Sequence, residues 1–142
     1  MSQADAVLIQ VVSVQEDAQK ERQTLRRTFS GEVRRLPQGP ALRYVEKDEE
    51  GQETDVELRI EEKGVRLWRH GICAMELTLV PGEKSRSLYQ TPYGAMDLTV
   101  RTQEASFSET GVGSKVRLRY DVYVQGELLS RNTVQMTYRV KP

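Results

Sequence analysis

The single histidine and the single cysteine of the chain, His70 and Cys73, are the first candidates for chemistry. A cysteine–histidine nucleophilic pair requires both side chains to converge within hydrogen-bond distance. Gly71 stands between them, and Cys73 shares the alternation of Met75 and Leu77, which marks it as a small core residue on the face opposite His70. We therefore predict no catalytic residues here, and one histidine with one cysteine is too few for a structural zinc site.

The densest group of carboxylates, Glu46-Lys-Asp-Glu-Glu50, stands immediately before Gly51. Its spacing does not match a calcium-binding loop, so the group is predicted to be a solvated turn. The chain also lacks a glycine-rich phosphate loop and the nucleophile elbow of serine hydrolases. These observations favour a protein that is not an enzyme, and they predict neither a metal nor a cofactor.

The elements that must position any site are strands, because polar and apolar residues alternate over Glu53–Ile60. Successive side chains of a strand point to opposite faces, so this run has one apolar and one solvated face. The same pattern returns at Val65–Arg69, Met75–Leu79, Met96–Thr102, Val116–Val124 and Val134–Val140. The spacing and the short connections predict an all-β fold, a single antiparallel meander β-barrel of about nine to eleven strands. This barrel is expected to occupy residues 1–142 as one domain.

The first third of the chain is interpreted as a long hairpin. Ala6–Val14 is rich in β-branched residues, and Thr24–Val33 carries further strand formers together with Gly31. A short helix over Gln15–Arg27 is the competing prediction, because that stretch contains many helix formers. The break at Pro37-Gln-Gly-Pro40 is predicted to end the hairpin.

Two charged residues interrupt the apolar faces of these strands. Arg69 shares the alternation of Val65 and Leu67, and Glu46 shares that of Tyr44, so both are expected to point inward. A buried charge is costly unless it is paired and hydrogen-bonded, which predicts a position near one end of the barrel. Two interpretations stay open: a structural plug that closes the barrel, or a group that binds an anion or a carboxylate in a pocket.

The bulk composition limits the classes of partner. Lysine plus arginine and aspartate plus glutamate each number 21, so the formal net charge is zero. This balance argues against a global attraction to nucleic acid or to an anionic membrane. We find no signal-peptide pattern and no apolar run of about 18 residues that could span a bilayer. Because the single cysteine cannot form an internal disulfide, we expect a cytoplasmic protein.

The outer face offers a second candidate site. Trp68 is predicted to point outward beside Arg66, and an outward tryptophan is typical of a contact surface. Arginines of the first third and of the last strands, Arg117 and Arg119 among them, would form one basic surface if the first and last strands meet. Such a surface could contact single-stranded RNA, although a solvated face balanced by carboxylates is the simpler interpretation.

A longer series of short motifs resembles a known family. The motifs are Tyr44-Val-Glu46, Val65-x-Leu-x-Arg69-x-Gly71, Met75, Tyr89-Gln-Thr-Pro-Tyr-Gly94, Gly113 and Tyr120. From roughly Val7 to Val140 the chain resembles the YwiB-like family of small bacterial proteins. The resemblance implies a calycin-type, lipocalin-like barrel in the cytoplasm. It implies no activity, because none of the motifs is catalytic and a fold alone does not carry function.

The leading hypothesis is a binding module whose partly apolar interior accepts a small apolar or amphipathic ligand. The candidate ligand-binding residues are Tyr44, Glu46, Arg69, Tyr93 and Tyr120. The alternative is a structural or interaction module, homodimeric or RNA-contacting, that acts through Arg66, Trp68, Arg117 and Arg119. An enzyme ranks third, because no triad or metal-ligand set supports one.

Overall fold

The computed structural model of the chain describes residues 4–142, and every regular element in that range is a β-strand. The strands are β1 (Ala4–Asp17), β2 (Arg22–Leu36), β3 (Gly39–Lys47), β4 (Glu53–Ile60), β5 (Val65–His70), β6 (Ala74–Leu79), β7 (Lys84–Thr91), β8 (Gly94–Thr110), β9 (Gly113–Val124) and β10 (Glu127–Val140). Within residues 4–142, nothing forms a helix of the length and hydrophobicity that a membrane crossing requires.

The ten strands form a closed antiparallel meander barrel. Each strand pairs with the next one along the chain, and β1 pairs with β10 from Val7 opposite Val140 to Asp17 opposite Ser130. Closure gives both long terminal strands a partner on each side, which removes the edges that an open sheet would expose. The predicted all-β antiparallel meander barrel is therefore confirmed, and its ten strands fall within the predicted range.

The core consists of the inward apolar residues that the alternation predicted. They are Val56, Leu58, Val65, Leu67, Leu77, Leu79, Leu98, Val100, Val116, Leu118, Val122, Met136 and Tyr138, joined by Val7, Ile9 and Leu42. Two residues that we predicted as interior, Met96 and Val140, are 42% and 57% exposed. Met96 lies near the start of β8 and still borders the interior cavity described below, whereas Val140 is the last residue of β10.

The first hairpin contains no helix, so the competing prediction over Gln15–Arg27 is wrong. The β1–β2 turn is stabilised by Asp17, whose Oδ1 accepts hydrogen bonds from the backbone N–H groups of Gln19 and Glu21, each at 2.9 Å. Lys20 takes a positive φ of 65° in this turn. Asp17 therefore stabilises a tight turn that lets β1 and β2 continue as strands, although the helix propensity of this stretch favours a helix.

The meander order gives the barrel two different ends. The turns after β1, β3, β5, β7 and β9 lie at one end, which we call the mouth end. The four remaining turns lie at the opposite end, together with the start of β1 and the end of β10. Arg69 and Glu46 both lie close to turns of the mouth end, as the sequence predicted.

Strand pairing is incomplete between β2 and β3. The ladder joins Gly31–Leu36 to Gly39–Tyr44, and within the described part of the chain it does not continue into Arg22–Ser30. The first part of β2 is thus held by β1 alone. Its inner face borders the interior at the mouth end without cover from β3.

A second weak seam lies between β6 and β7, where the register is defined only at Ala74 opposite Gln90. Serine side chains replace the missing ladder. The Ser85 hydroxyl donates to the Thr78 carbonyl at 2.9 Å, and the Ser87 hydroxyl donates to the Glu76 carbonyl. These bonds satisfy strand carbonyls that would otherwise lack a partner.

The close approach of β2 to its neighbour β3 leaves no room for a side chain at Gly31. A Cβ atom there would collide with the Arg43 carbonyl oxygen and would lie 2.7 Å from Ile9 Cδ1. We expect Gly31→Ala to lower the free energy of unfolding by about 1–3 kcal/mol, because the backbone must shift to accept the methyl group. Gly111→Ala is the matched control, since a Cβ at Gly111 meets nothing within 4 Å. Urea denaturation measures both values, and equal stability of the two variants would contradict the crowding argument.

Candidate functional site

A cavity of about 590 Å³ occupies the interior at the mouth end. Every strand except β4 contributes to its wall. The apolar part of the wall is formed by Val11, Phe29, Leu67, Met75, Leu77, Leu98, Val122 and Val134. Neutral polar groups lie toward the rim, among them Gln15 and Gln23, which are exposed near the β1–β2 turn. The cavity therefore combines an apolar interior with a polar opening.

Arg69 and Glu46 point into this cavity and form an ion pair, in which Arg69 Nη2 donates to Glu46 Oε1. The two residues approach each other across β4, where Val56 is the register partner of both Tyr44 and Arg69. Their side chains are 38% and 18% exposed, so the pair retains contact with solvent. The predicted inward orientation of both residues is confirmed, and each supplies the partner that the other requires.

Two of the candidate tyrosines lie around this pair. Tyr44 is a buried core residue that does not line the cavity, and it packs against the wall residue Phe29 with ring centroids 4.6 Å apart. Burial raises the pKa of Tyr44, the Glu46 carboxylate raises it further, and Arg69 opposes both effects. Tyr120 lines the cavity, and burial raises its pKa against the opposing charge of Arg69. Both hydroxyls thus stay protonated at neutral pH and can donate hydrogen bonds.

Tyr93 is not a cavity residue, which corrects the sequence prediction. Its side chain is 99% exposed in the two-residue turn between β7 and β8. The Tyr93 N–H donates to Thr91 Oγ1 at 3.1 Å, and the Thr91 hydroxyl donates to the Gly94 carbonyl at 2.9 Å. This tight turn directs Tyr93 into solvent, away from the wall that Tyr44 and Tyr120 support.

Sequence reasoning missed several cavity residues, among them Tyr89 and Arg27. Tyr89 lies on β7, where a hydrogen bond with the Cys73 side chain is the main cause that raises its pKa, followed by burial. Arg27 is one of the arginines of the first third that are predicted to lie on the outer basic surface. The signal that could have identified it is alternation, because Arg27 shares the inward face of β2 with Leu25 and Phe29.

His70 and Cys73 do not form a pair of reactive groups. His70 is exposed at the end of β5, whereas Cys73 is half-buried in the β5–β6 turn with Tyr89 as its partner. In the range 4–142, no three histidine, cysteine or acidic side chains are grouped so that they could hold a metal ion.

The outer surface around Trp68 forms a compact cluster, which we call the Trp68 cluster: Trp68, Arg59, Arg66, Glu57 and Glu76. The guanidinium carbons of Arg59 and Arg66 lie 4.9 and 5.0 Å from the centroid of the Trp68 ring. Arg66 Nη2 donates to Glu76 Oε1 at 2.7 Å, and Arg59 Nε donates to Glu57 Oε2 at 3.0 Å. Each of the two arginines therefore has a carboxylate partner, and Glu57 is shared with Arg43, whose Nε lies 3.5 Å from Glu57 Oε1.

The single interaction surface that we predicted is divided between two faces of the barrel. Arg117 and Arg119 are exposed on β9, whereas Arg66 and Trp68 lie on β5, four strands away in the barrel order. β1 and β10 separate β9 from the arginines of β2. Arg27 faces inward, and Arg131 on β10 is separated from β2 by β1 alone, so one basic surface that joins arginines of the two chain ends stays a prediction.

We expect the Arg69–Glu46 pair to contribute measurably to stability. A double-mutant cycle of Arg69→Met and Glu46→Gln should give a coupling free energy of about 1 kcal/mol, limited by the partial exposure of the pair. Lys47–Glu53 is the control, because these side chains lie 3.7 Å apart and are 67% and 58% exposed at the same end. Its coupling should fall within about 0–0.5 kcal/mol. Equal coupling in the two cycles, measured by urea unfolding, would contradict the interior placement of Arg69.

The raised pKa of Tyr44 predicts a loss of stability in alkaline solution. Above pH about 10 the unfolded chain releases the phenolic proton while the folded chain keeps it, so the free energy of unfolding falls as pH rises. Tyr44→Phe has no such proton and should show a shallower fall. Urea unfolding between about pH 9 and 11 tests this, and parallel curves for the two proteins would refute it.

Comparison with known proteins places this geometry in a family. The crystal structure of the ywiB protein from Bacillus subtilis matches with a TM-score of 0.86 and 18% sequence identity, covering 99% of this chain and 96% of that chain. At this identity the likeness shows the fold alone. No curated protein matches the chain. The family model described as "Domain of unknown function (DUF1934)" matches residues 9–136. The chain therefore belongs to the DUF1934 family, in agreement with its resemblance to YwiB-like proteins.

Proposed function

We propose that this protein is a non-enzymatic binding module, which takes up a small, partly apolar molecule in the cavity at the mouth end. The observation that carries the proposal is the cavity itself, with about 590 Å³ of space inside the barrel. Sites for small molecules have volumes of a few hundred Å³, with apolar walls and a few polar groups that orient the ligand.

The wall chemistry supports a ligand with an apolar part. A molecule that buried ~200 Å² of apolar surface against the wall would gain about 5 kcal/mol before the costs of association. Tyr89, Tyr120 and Asn132 provide hydrogen-bonding groups along the same wall. Most of these groups lie on paired strands, so binding requires little reorganisation of the backbone.

The proposal includes the finer classification that the resemblance implies. We place the protein among bacterial calycin-type, lipocalin-like barrels and expect it in the cytoplasm. A homodimer that forms through Trp68 stays a prediction.

The outer surface is a weaker basis for function than the cavity. The arginines of the Trp68 cluster already pair with Glu57 and Glu76, so a partner would have to displace existing contacts. Arg117 and Arg119 lie on a different face and cannot join Trp68 in one compact contact. For this reason the interaction or RNA-contacting function ranks second.

A cavity-filling substitution tests the proposal. Val134 is half-buried in the cavity wall on β10, and its neighbour Thr133 is exposed on the outer face of the same strand. The neutral fluorescent probe N-phenyl-1-naphthylamine should bind the unmodified protein with increased emission. Val134→Trp should weaken this binding about 10-fold or more, because the indole ring occupies space that the probe needs. Thr133→Trp is the matched control and should leave probe binding unchanged.

Fluorescence titration gives the affinities, and thermal melting confirms that both variants are folded. Absence of probe binding to the unmodified protein would count against the proposal. Equal loss of binding in the two tryptophan variants would show that the probe binds elsewhere.

A further inference from the structure

The ionisable side chains of the cavity wall give it a positive balance. Three charged residues line it: Arg27, Arg69 and Glu46. Two positive charges and one negative charge leave a net charge of +1. Burial raises the pKa of Tyr120, and the hydrogen bond with Cys73 raises that of Tyr89, so neither hydroxyl adds a negative charge at neutral pH.

The uncompensated positive charge of the cavity is that of Arg27, not that of Arg69. Glu46 already accepts a hydrogen bond from the Arg69 guanidinium and neutralises its charge. Among the ion pairs formed by residues 4–142, none involves Arg27. The cavity thus contains one guanidinium group that no carboxylate of the described chain compensates.

The position of Arg27 fits a role at the opening of the cavity. It lies on the inner face of β2 opposite Val11 of β1, in the part of β2 that β3 does not cover. The residue is exposed and borders the cavity at the same time. Phe29 follows two residues later on the same inner face and belongs to the apolar part of the wall. A molecule that contacted both residues would need a polar end at the opening and an apolar end inside.

We propose that the ligand of this cavity is an amphiphile with one anionic group, which Arg27 binds at the mouth while the apolar part of the ligand lies on the wall. This inference rests on the proposed binding function and adds the ligand class and the anchoring residue. A guanidinium group presents several N–H donors in a planar fork, which suits a carboxylate, sulfate or phosphate oxygen pair. A cationic ligand would meet the charge of Arg27 without compensation.

The same geometry separates Arg27 from Arg69, which the sequence suggested as the anion-binding group. An anion that approached Arg69 would compete with Glu46, whose carboxylate is already in contact. An anion at Arg27 would compete with no ion pair of the described residues. We therefore assign the anion to Arg27 and a structural role in the wall to the Arg69–Glu46 pair.

A matched pair of ligands and a matched pair of variants test this assignment. Octanoate and 1-octanol share one chain length and differ in charge, and both are titrated by calorimetry at neutral pH. The chain offers a close control for Arg27→Gln, because Arg26 carries the same charge on the outer face of the same strand. Arg27→Gln and Arg26→Gln remove the same net charge, so a difference between them reports position.

The unmodified protein should bind octanoate about 10-fold more tightly than 1-octanol, as expected for a hydrogen bond between charged groups. Arg27→Gln should remove this preference by weakening octanoate binding about 10-fold while leaving 1-octanol binding unchanged. Arg26→Gln should retain the preference in full.

The outcomes separate this inference from the proposed function. Binding of 1-octanol together with equal or weaker binding of octanoate would overturn the inference and leave the binding function intact. An equal loss of octanoate affinity in both variants would attribute the effect to overall charge and would also overturn it. Failure of both ligands and of N-phenyl-1-naphthylamine to bind would overturn the binding function itself.

Discussion

Pairing of β1 with β10 is the constraint on which the rest of this structure depends. Without this ladder, which runs from Val7 opposite Val140 to Asp17 opposite Ser130, the meander would be an open sheet with two long exposed edges. Closure brings the inner faces of all ten strands together. A closed sheet also encloses volume, and here the side chains fill it only in part. Closure of the barrel by β1 and β10 therefore produces both the packed core and the cavity.

Strand pairing is incomplete at two other places in the barrel, and these two places differ in their consequences. Between β6 and β7 the hydroxyls of Ser85 and Ser87 replace backbone partners, so the seam stays closed. Between β2 and β3 the described residues offer no such replacement, and the ladder ends at Gly31 opposite Tyr44. The long β1–β2 hairpin then borders the mouth with one side uncovered. Strand pairing therefore decides where the interior meets solvent, and it places Arg27 at that boundary.

The charged residues that line the cavity differ in whether they have an ion-pair partner. The Arg69–Glu46 pair satisfies itself, and its partial exposure reduces the desolvation cost that makes fully buried pairs unfavourable. Arg27 forms no ion pair within residues 4–142, and its exposed position at the mouth keeps its charge in contact with solvent. The Trp68 cluster on the outer face resembles the first case, because each of its arginines has a carboxylate partner. This difference between satisfied and unsatisfied charge is the basis for ranking the cavity above the outer surface.

Sequence alone determined the strands, the inward faces and the two exceptions to them, because the alternation of side chains along a strand is a local property. The runs around Val56 and Leu118 and the inward orientation of Arg69 and Glu46 could be predicted for this reason. Only the tertiary structure decided that Arg69 meets Glu46 across β4, that Tyr93 points into solvent, and that Arg117 lies on a different face from Arg66. These facts depend on the register between strands and on the curvature of the closed sheet, which residues distant in sequence set together. Arg27 combines the two kinds of information. Alternation along β2 indicates from the sequence that its side chain points inward. Its position at the uncovered mouth depends on strand pairing, which only the tertiary structure shows.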